Sequence, residues 1–434
     1  MSNIQENRKQ PIRASIASFI GTMIEWYDFY LYATASALVF GPLFFPNKDP
    51  FISTLASFGT FAVGFLARPL GGMIFGHIGD KIGRKKSLVT TLTIMGFATV
   101  GIGLLPTYAQ IGVMAPVCLI LLRVLQGIAV GGEWGGAVLM AGEHAPEGRR
   151  TFFASFAQLG SPAGMILSIL AFKLVTSMDE AVFLDWGWRL PFLFSGVLFA
   201  VGFAIRISVN ESPEFAKLKA DHKVLEKPVV EVFRTMWGYI LLGIGANAIG
   251  VAGTYFTSTL MINYTTTYLL LDKNMILNCL FWVAVIEFTA QLMAAWLAQK
   301  IGDVQVLSMM ALLTMVAPYP MFMLVETGHP AAITAGLALT VVGVGGFYAV
   351  SAGFMSSLFP TRIRYTAISM ACQLCGAIAG FTPLVGAMLA QHYKAQWWPL
   401  ALFCSILGGI SLVCVTVLAR RTISDIPVGK IAVV

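Results

Sequence analysis

Of the 434 residues, 57% are apolar and 11% are charged, against roughly 25% charged in an ordinary soluble domain, which excludes most soluble enzymes. The net charge of +7 would suit a nucleic-acid partner, but the basic residues fall in short clusters between apolar runs, the pattern of positive-inside topology signals. At about 20 residues per span and about 36 per span plus loop, the length holds roughly twelve membrane-crossing helices and no large domain outside the bilayer.

Six cysteines, Cys118, Cys279, Cys372, Cys375, Cys404 and Cys414, all lie inside apolar runs, so neither a disulfide framework nor a metal site is expected. Cys372 and Cys375 have redox-motif spacing but read as small packing residues. The stretch Gly79 to Ser87 looks similar to a phosphate loop but places Arg84 and Lys85 wrongly, which argues against ATP-driven transport. His77, His144, His222, His329 and His392 sit at loops or span ends without ligand spacing. No cofactor, no metal and no enzyme activity are expected.

The first apolar run, 14–45, is too long for a cleaved signal peptide and carries Glu25 and Asp28 at its centre, so it stays as the first span. Further runs at 52–76, 87–105, 112–142, 152–176, 189–207, 237–264, 274–298, 304–325, 331–357, 366–390 and 397–419 bring the predicted spans to twelve. The polar interval 208–235 divides the chain into a six-helix bundle at 1–207, a central loop, a second bundle at 236–421 and a tail at 422–434. Sorting Lys and Arg by loop side places 21 on one face, from the N-terminus, the Lys81 to Lys86 cluster, Arg149 and Arg150, the central segment with Arg206, Lys300, Arg362, Arg364 and the tail including Lys430. The other face has Lys48, Lys173, Arg189, Lys273 and Lys394, so both termini are expected to be cytoplasmic. The halves also repeat: Lys81-Ile82-Gly83 returns as Lys300-Ile301-Gly302 and Pro146 with Arg150 as Pro360 with Arg364, which reads as two related units around a midplane site.

Between the second and third spans, Gly76-x-x-x-Asp80-Lys81-x-Gly83-Arg84-Lys85-Lys86 resembles the signature loop of the major facilitator superfamily. Arg123-x-x-Gln126-Gly127 in span four and the twelve-span plan extend that resemblance over essentially the whole chain. Within the superfamily, Glu25-Trp26-Tyr27-Asp28-Phe29, Arg68-Pro69-Leu70-Gly71-Gly72, Gly131-Gly132-Glu133-Trp134-Gly135-Gly136, Trp186-Gly187-Trp188-Arg189-x-Pro191-Phe192 and Glu211-Ser212-Pro213-Glu214-Phe215 resemble the metabolite:proton symporter branch. Its known members take up shikimate, 2-oxoglutarate, citrate and related carboxylates, or proline and betaine. The resemblance implies an all-α membrane protein with twelve transmembrane helices in two pseudo-symmetric six-helix bundles, working by alternating access. It also implies a gate at Gly76, Asp80, Gly83 and Arg84, with Asp80 facing helix N-termini of the opposite half, where the dipole favours an anion, and Arg84 pairing with an acid such as Glu143. The second-half copy, Ala298 to Gln305, has Gln299 at the acidic position and lacks the basic cluster, which weakens the expectation of symmetric latches.

A charge at the bilayer centre costs roughly 2.5 to 3.5 kcal/mol on insertion scales, so embedded ionisable residues are functional candidates. Here they are Glu25, Asp28, Arg68, Arg123, Glu133 and Glu287. Glu25 and Asp28 share a helix face and cannot both be charged cheaply; one carries a proton, or the pair is bound to Arg123 or Arg68. Arg123 either grips a substrate carboxylate bidentately or serves as counter-ion to Asp28, and Arg68 either binds substrate or ties two helices. Glu133, among glycines that permit close helix approach, senses protons or pairs with Arg68. Glu287 is the second half's embedded acid. The expected proton-coupling set is therefore Glu25, Asp28, Glu133 and Glu287, and the substrate-facing set Arg123, Arg68, Tyr27, Asn247, Tyr255, Tyr348 and Gln373. The expected function is proton-coupled uptake of a small organic solute, a carboxylate such as shikimate or an oxo- or dicarboxylate. The alternatives are uptake of a zwitterion such as proline or betaine, or export by proton antiport. The partners are the solute, protons and lipid, with no nucleic acid, for a monomer in the cell (inner) membrane.

Overall fold

The computed structural model describes residues 2–46 and 50–421, apart from the side chains of 2–9, 37, 50–55, 58 and 61. Lys48, Lys430, the tail 422–434 and the side chains of Arg8 and Lys9 therefore lie outside the described residues. Twelve long helices follow one another. In the first bundle they are α1 (Ser2–Ala35, continued by a π-helical turn Ser36–Phe40 and by Gly41–Phe44), α2 (Pro50–Lys81), α3 (Arg84–Leu104), α4 (Met114–Glu143), α5 (Arg150–Val175) and α6 (Arg189–Ser208). In the second they are α7 (Trp237–Thr267), α8 (Lys273–Ile301), α9 (Asp303–Val316 and Pro318–Val325), α10 (Pro330–Leu358), α11 (Arg364–His392) and α12 (Trp398–Arg420). Among the described residues, α3 to α8 and α10 to α12 are by themselves long enough and apolar enough to cross ~30 Å of hydrocarbon, and α9 joins them if its bent pair is one span. α9 bends by 41° where Pro318 interrupts its hydrogen-bond ladder.

The internal repeat extends to backbone detail. π turns interrupt α1 at Ser36–Phe40 and α7 at Phe256–Leu260, 220 positions apart. Gly83 and Gly302, which join α2 to α3 and α8 to α9, both adopt a positive φ, +138° and +99°, with ψ near 150°; a side chain is strained there, so glycine is required at both copies.

Within the first bundle, α1 packs on α5 and α2 on α4; within the second, α8 packs on α10 and α7 on α12. The two bundles meet along α2 against α11 and along α5 against α8 and α10. Small residues set these distances, because lipid offers no hydrophobic drive between helices. A Cβ added to Gly131 of α4 would lie 2.8 Å from Gly72 N of α2, and one on Gly76 of α2 would lie 2.7 Å from Thr366 Cα of α11.

Arg206 departs from its expected place. It was sorted with the central loop's cations, yet it lies within α6, 4% exposed, turned into the first bundle. Charge periodicity at a span end does not reveal which way a long side chain points. All six cysteines are free thiols.

Candidate functional site

Ser18, Gly21, Glu25 and Asp28 fall at helical spacing along one face of α1. Asp28, 1% exposed, accepts hydrogen bonds from Thr99 Oγ1 at 2.5 Å and Ser195 Oγ at 2.9 Å. Gln126 Nε2 donates to Thr99 Oγ1 at 2.9 Å, and Arg123 Nη1 donates to Gln126 Oε1 at 2.6 Å. A relay of two side chains thus connects Arg123 to Asp28, and the Arg123 guanidinium stacks 4.1 Å from the Tyr32 ring centroid.

Nearer the interface, Arg68 of α2 lies 4.7 Å from the centroid of Phe65 and 5.6 Å from that of Phe29, geometry in which the ring faces stabilise the cation. Tyr255 of α7 closes the group from the other bundle, 6.1 Å from Phe29 and 6.0 Å from Phe65. Tyr255, Tyr348 and Cys372 of the second bundle lie near Glu25 and Arg68. Among the described residues no acid lies within 4.0 Å of Arg68, and Glu25 Oε2 is buried without a hydrogen-bond partner. Asn247 donates Nδ2 to Gly243 O at 2.9 Å and leaves Oδ1 unpartnered. Gln373 lies in the seam beside Gly72, and Gln158 ties the bundles by donating to Tyr348 O at 3.0 Å. Glu287, buried in α8, accepts from Gln291 Nε2 at 3.0 Å.

At the end of α2 the bundles are latched. Asp80 accepts from Thr366 N and Thr366 Oγ1, both at 2.8 Å, and from Tyr365 N at 3.2 Å, at the first turn of α11; an anion there meets both free N–H groups and the helix dipole. Arg84 lies 3.2 Å from Asp80 and 3.5 Å from Glu143, and donates to Thr361 O at 2.8 Å across the seam. Arg364 Nη1 is 2.9 Å from Glu143 Oε1 and also bonds Glu214. Arg150, its repeat counterpart, is 2.9 Å from Glu214. His144, just past α4, is kept below its usual pKa by burial and adds no charge here at neutral pH.

Several placements differ from expectation. Tyr27 is fully buried inside the first bundle and donates its hydroxyl to Pro191 O at 2.8 Å, so it does not reach the interface with Arg68. Glu133 pairs with Arg206, not Arg68. The second half does latch: Asp303, four residues beyond Gln299, accepts from Thr151 Oγ1 of α5 at 2.7 Å. The acid has moved past the glycine turn instead of disappearing. Glu211-Ser212-Pro213-Glu214-Phe215, read only as a family mark, enters the latch. Glu211 caps α3 by accepting from Arg84 N at 3.0 Å and Lys85 N at 3.2 Å, Ser212 bonds Glu143, and Phe215 lies 4.7 Å from the Arg84 guanidinium. The two acids in this motif, next to a helix-initiating Ser-Pro pair, were the available signal.

A charged, largely buried seam between two six-helix bundles, latched at one face, defines a membrane transporter of the alternating-access kind. Residues 14–238 match the family described as Sugar (and other) transporter. The shikimate transporter of Escherichia coli strain K12 is 36% identical over 414 residues, 94% of each chain. The inner membrane metabolite transport protein YhjE of the same organism is 37% identical over 412 residues, 92% of each. Its proline/betaine transporter is 33% identical over 411 residues, 92% of this chain and 82% of that one. Among solved structures, the proton:xylose symporter XylE bound to 6-bromo-6-deoxy-D-glucose superimposes with a TM-score of 0.73 at 16% identity, over 95% of this chain and 96% of that one. A bacterial homologue of the iron transporter ferroportin in an outward-facing state gives 0.70 at 14% identity, over 94% and 100%. The chain belongs to the Sugar (and other) transporter family of the major facilitator superfamily, in its metabolite:proton symporter branch, and is a multi-pass membrane transporter rather than an enzyme.

Proposed function

We propose that the solute this symporter carries inward with protons is a small organic anion whose carboxylate is held by Arg68. The observation that carries this reading is Arg68 itself: a permanent cation at the bundle interface, stacked on Phe29 and Phe65, with no described acid in ion-pair range. Arg68, stacked on these rings, would repel a quaternary ammonium, so a betaine ranks second. Similarity to the shikimate transporter supports the carboxylate reading.

Glu25 is the proton carrier in this scheme. Charged, it holds the field of Arg68; protonated, it releases that field to the substrate anion, so proton and solute bind together. Asp28, with Thr99, Gln126 and Arg123, supports α1, α3 and α4, and Glu287 is a second proton acceptor in α8. Asn247, Tyr255, Tyr348 and Gln373 complete the substrate wall from the second bundle. Gly76, Asp80, Gly83, Arg84 and Glu143 form the gate, whose face, rich in Lys and Arg, is cytoplasmic together with both termini. The boundaries 1–207, 208–235, 236–421 and 422–434 separate bundle, cytoplasmic loop, bundle and tail, and the chain works as a monomer in the inner membrane. A monoanion entering with one proton moves no net charge and is driven by the pH gradient alone; each further proton adds a net charge, for which a potential of 100 mV supplies ~2.3 kcal/mol, about 50-fold accumulation.

The test is uptake into proteoliposomes under an imposed inward proton gradient, with labelled shikimate, oxo- and dicarboxylates, proline and betaine. Carboxylate accumulation that Arg68→Gln abolishes is the expected result. Preference for betaine, or normal uptake by Arg68→Gln, overturns the reading. Solute driven outward by the same gradient would instead identify a proton-antiport exporter.

A further inference from the structure

Glu133 of α4 is fully buried, and both terminal nitrogens of Arg206 from α6 bind it. Arg206 Nη1 is 2.8 Å from Glu133 Oε2 and 2.8 Å from Leu88 O, and Thr91 Oγ1 adds a third bond to the carboxylate at 2.8 Å. This pair lies directly against α1 at Gly21, where a Cβ would sit 2.7 Å from Glu133 Oε1 and 2.6 Å from Arg206 Cζ. Gly21 is one turn, about 6 Å, before Glu25 on the same helix face, and Glu25 presents a buried carboxylate oxygen with no hydrogen-bond partner. The charged groups that face Glu25 from the surrounding helices are Arg68, Glu133 and Arg206, with Asp28 on its own helix.

On the gate side of the pair lies a cavity of about 10 Å³, lined by Arg206, Ser18, Ala17 and Lys85 among others. That is about the space one water needs, and the lining offers it polar partners. Lys85 forms the outer wall, its amine donating to Ile207 O at the protein surface at 2.6 Å. Acid, ion pair, water-sized cavity and surface thus follow one another down a single face of α1, inside the first bundle.

We propose that Glu133 and Arg206 form the proton exit from Glu25 to the gate face, so that the proton leaves through the first bundle while the solute leaves between the bundles. This inference rests on the assignment of Glu25 as proton carrier. In the transfer, the Glu25 carboxyl gives its proton to the Glu133 carboxylate and becomes the anion. Glu133 then gives the proton to water in the cavity beside Ser18 and returns to its carboxylate form. Arg206 stays protonated throughout and holds Glu133 as the anion between transfers, which keeps the route from leaking when Glu25 has no proton to give.

The experiment uses the full chain in proteoliposomes enclosing a pH dye, with the carboxylate substrate and three variants: Glu133→Gln, Glu133→Asp and Ala17→Leu, the last filling the cavity while leaving both residues of the ion pair in place. Two readouts are compared, gradient-driven accumulation with luminal acidification, and counterflow at equal pH, which needs no net proton release. Glu133→Gln is expected to lose at least tenfold in accumulation while counterflow stays within twofold, and Glu133→Asp to recover part of the accumulation. Ala17→Leu is expected to slow acidification severalfold at unchanged counterflow. Equal loss of both activities in Glu133→Gln marks the pair as purely structural and overturns the proposal, as does normal accumulation in that variant. Should Glu133→Gln fail to reach the membrane, Ala17→Leu decides, and unchanged acidification there overturns the exit. Normal accumulation by Glu25→Gln is a separate failure: it removes the carrier assignment itself, and the exit with it.

Discussion

Replacing Asp80 by Asn keeps the side chain's shape and removes its charge at the first turn of α11. In the wild type three hydrogen bonds converge on this carboxylate, from Thr366 N, Thr366 Oγ1 and Tyr365 N. Bonds to a charged group are worth about 1.5–3 kcal/mol, against about 1 kcal/mol for neutral ones, so the Thr366 pair on one oxygen weakens by about 1 kcal/mol in all, while the amide nitrogen in place of the other oxygen cannot accept from Tyr365 N and that bond, about 1.5 kcal/mol, is lost. Loss of the favourable helix-dipole interaction adds about 0.3–1 kcal/mol. Arg84 keeps Gly79 O, Thr361 O and Glu143, which limits the damage to about 3 kcal/mol. In the proposed gate Asp80 leaves α11 when this face opens, so the closed-to-open ratio should fall roughly 100-fold. Cys372, 7% exposed at the interface, reports the change in a chain whose other five cysteines are Ser. Alkylation by a membrane-impermeant maleimide reaching the gate face should accelerate at least tenfold, and gradient-driven uptake should fall below a tenth, with the inserted amount unchanged. Wild-type uptake together with wild-type labelling would refute the latch.

Gly76→Leu drives a side chain into the backbone of α11 at Thr366 and should also raise Cys372 alkylation severalfold; unaltered labelling would mean that α11 does not close onto α2. Asp303→Asn weakens the single bond to Thr151, about 1 kcal/mol, and should cost uptake only about fivefold; a loss equal to that of Asp80→Asn would show that the two latches weigh the same. Arg68→Lys exchanges a planar fork for a point charge and should raise the KM for a carboxylate about tenfold with little change in kcat, measured as initial uptake rates. An unchanged KM would move the carboxylate site elsewhere, Arg123 being the next cation to test.

Twelve spans were legible because crossing hydrocarbon is a requirement on local composition and length: the apolar run 331–357 becomes Pro330–Leu358, and 189–207 becomes Arg189–Ser208. The repeat was legible because Gly83 and Gly302 serve the same positive-φ turn, and the embedded charges stood out because so few residues here are charged at all. Pairing was not legible. Arg206 finds Glu133 across 73 positions and Arg364 finds Glu143 across 221, and no pattern within one span announces such a partner. Hydropathy along α1 does not say whether Tyr27 turns to the bundle interface or into the first bundle, where its hydroxyl bonds Pro191 O. The central segment reads as a charged solvent loop by composition. Only the approach of α3, α4 and α11 gives Glu211 and Glu214 their N–H and guanidinium donors and Ser212 its carboxylate acceptor, which ties them into the latch between the bundles. Local composition thus determined what crosses the membrane and made six embedded charges stand out; the packing of helices distant in sequence decided which charge neutralises which.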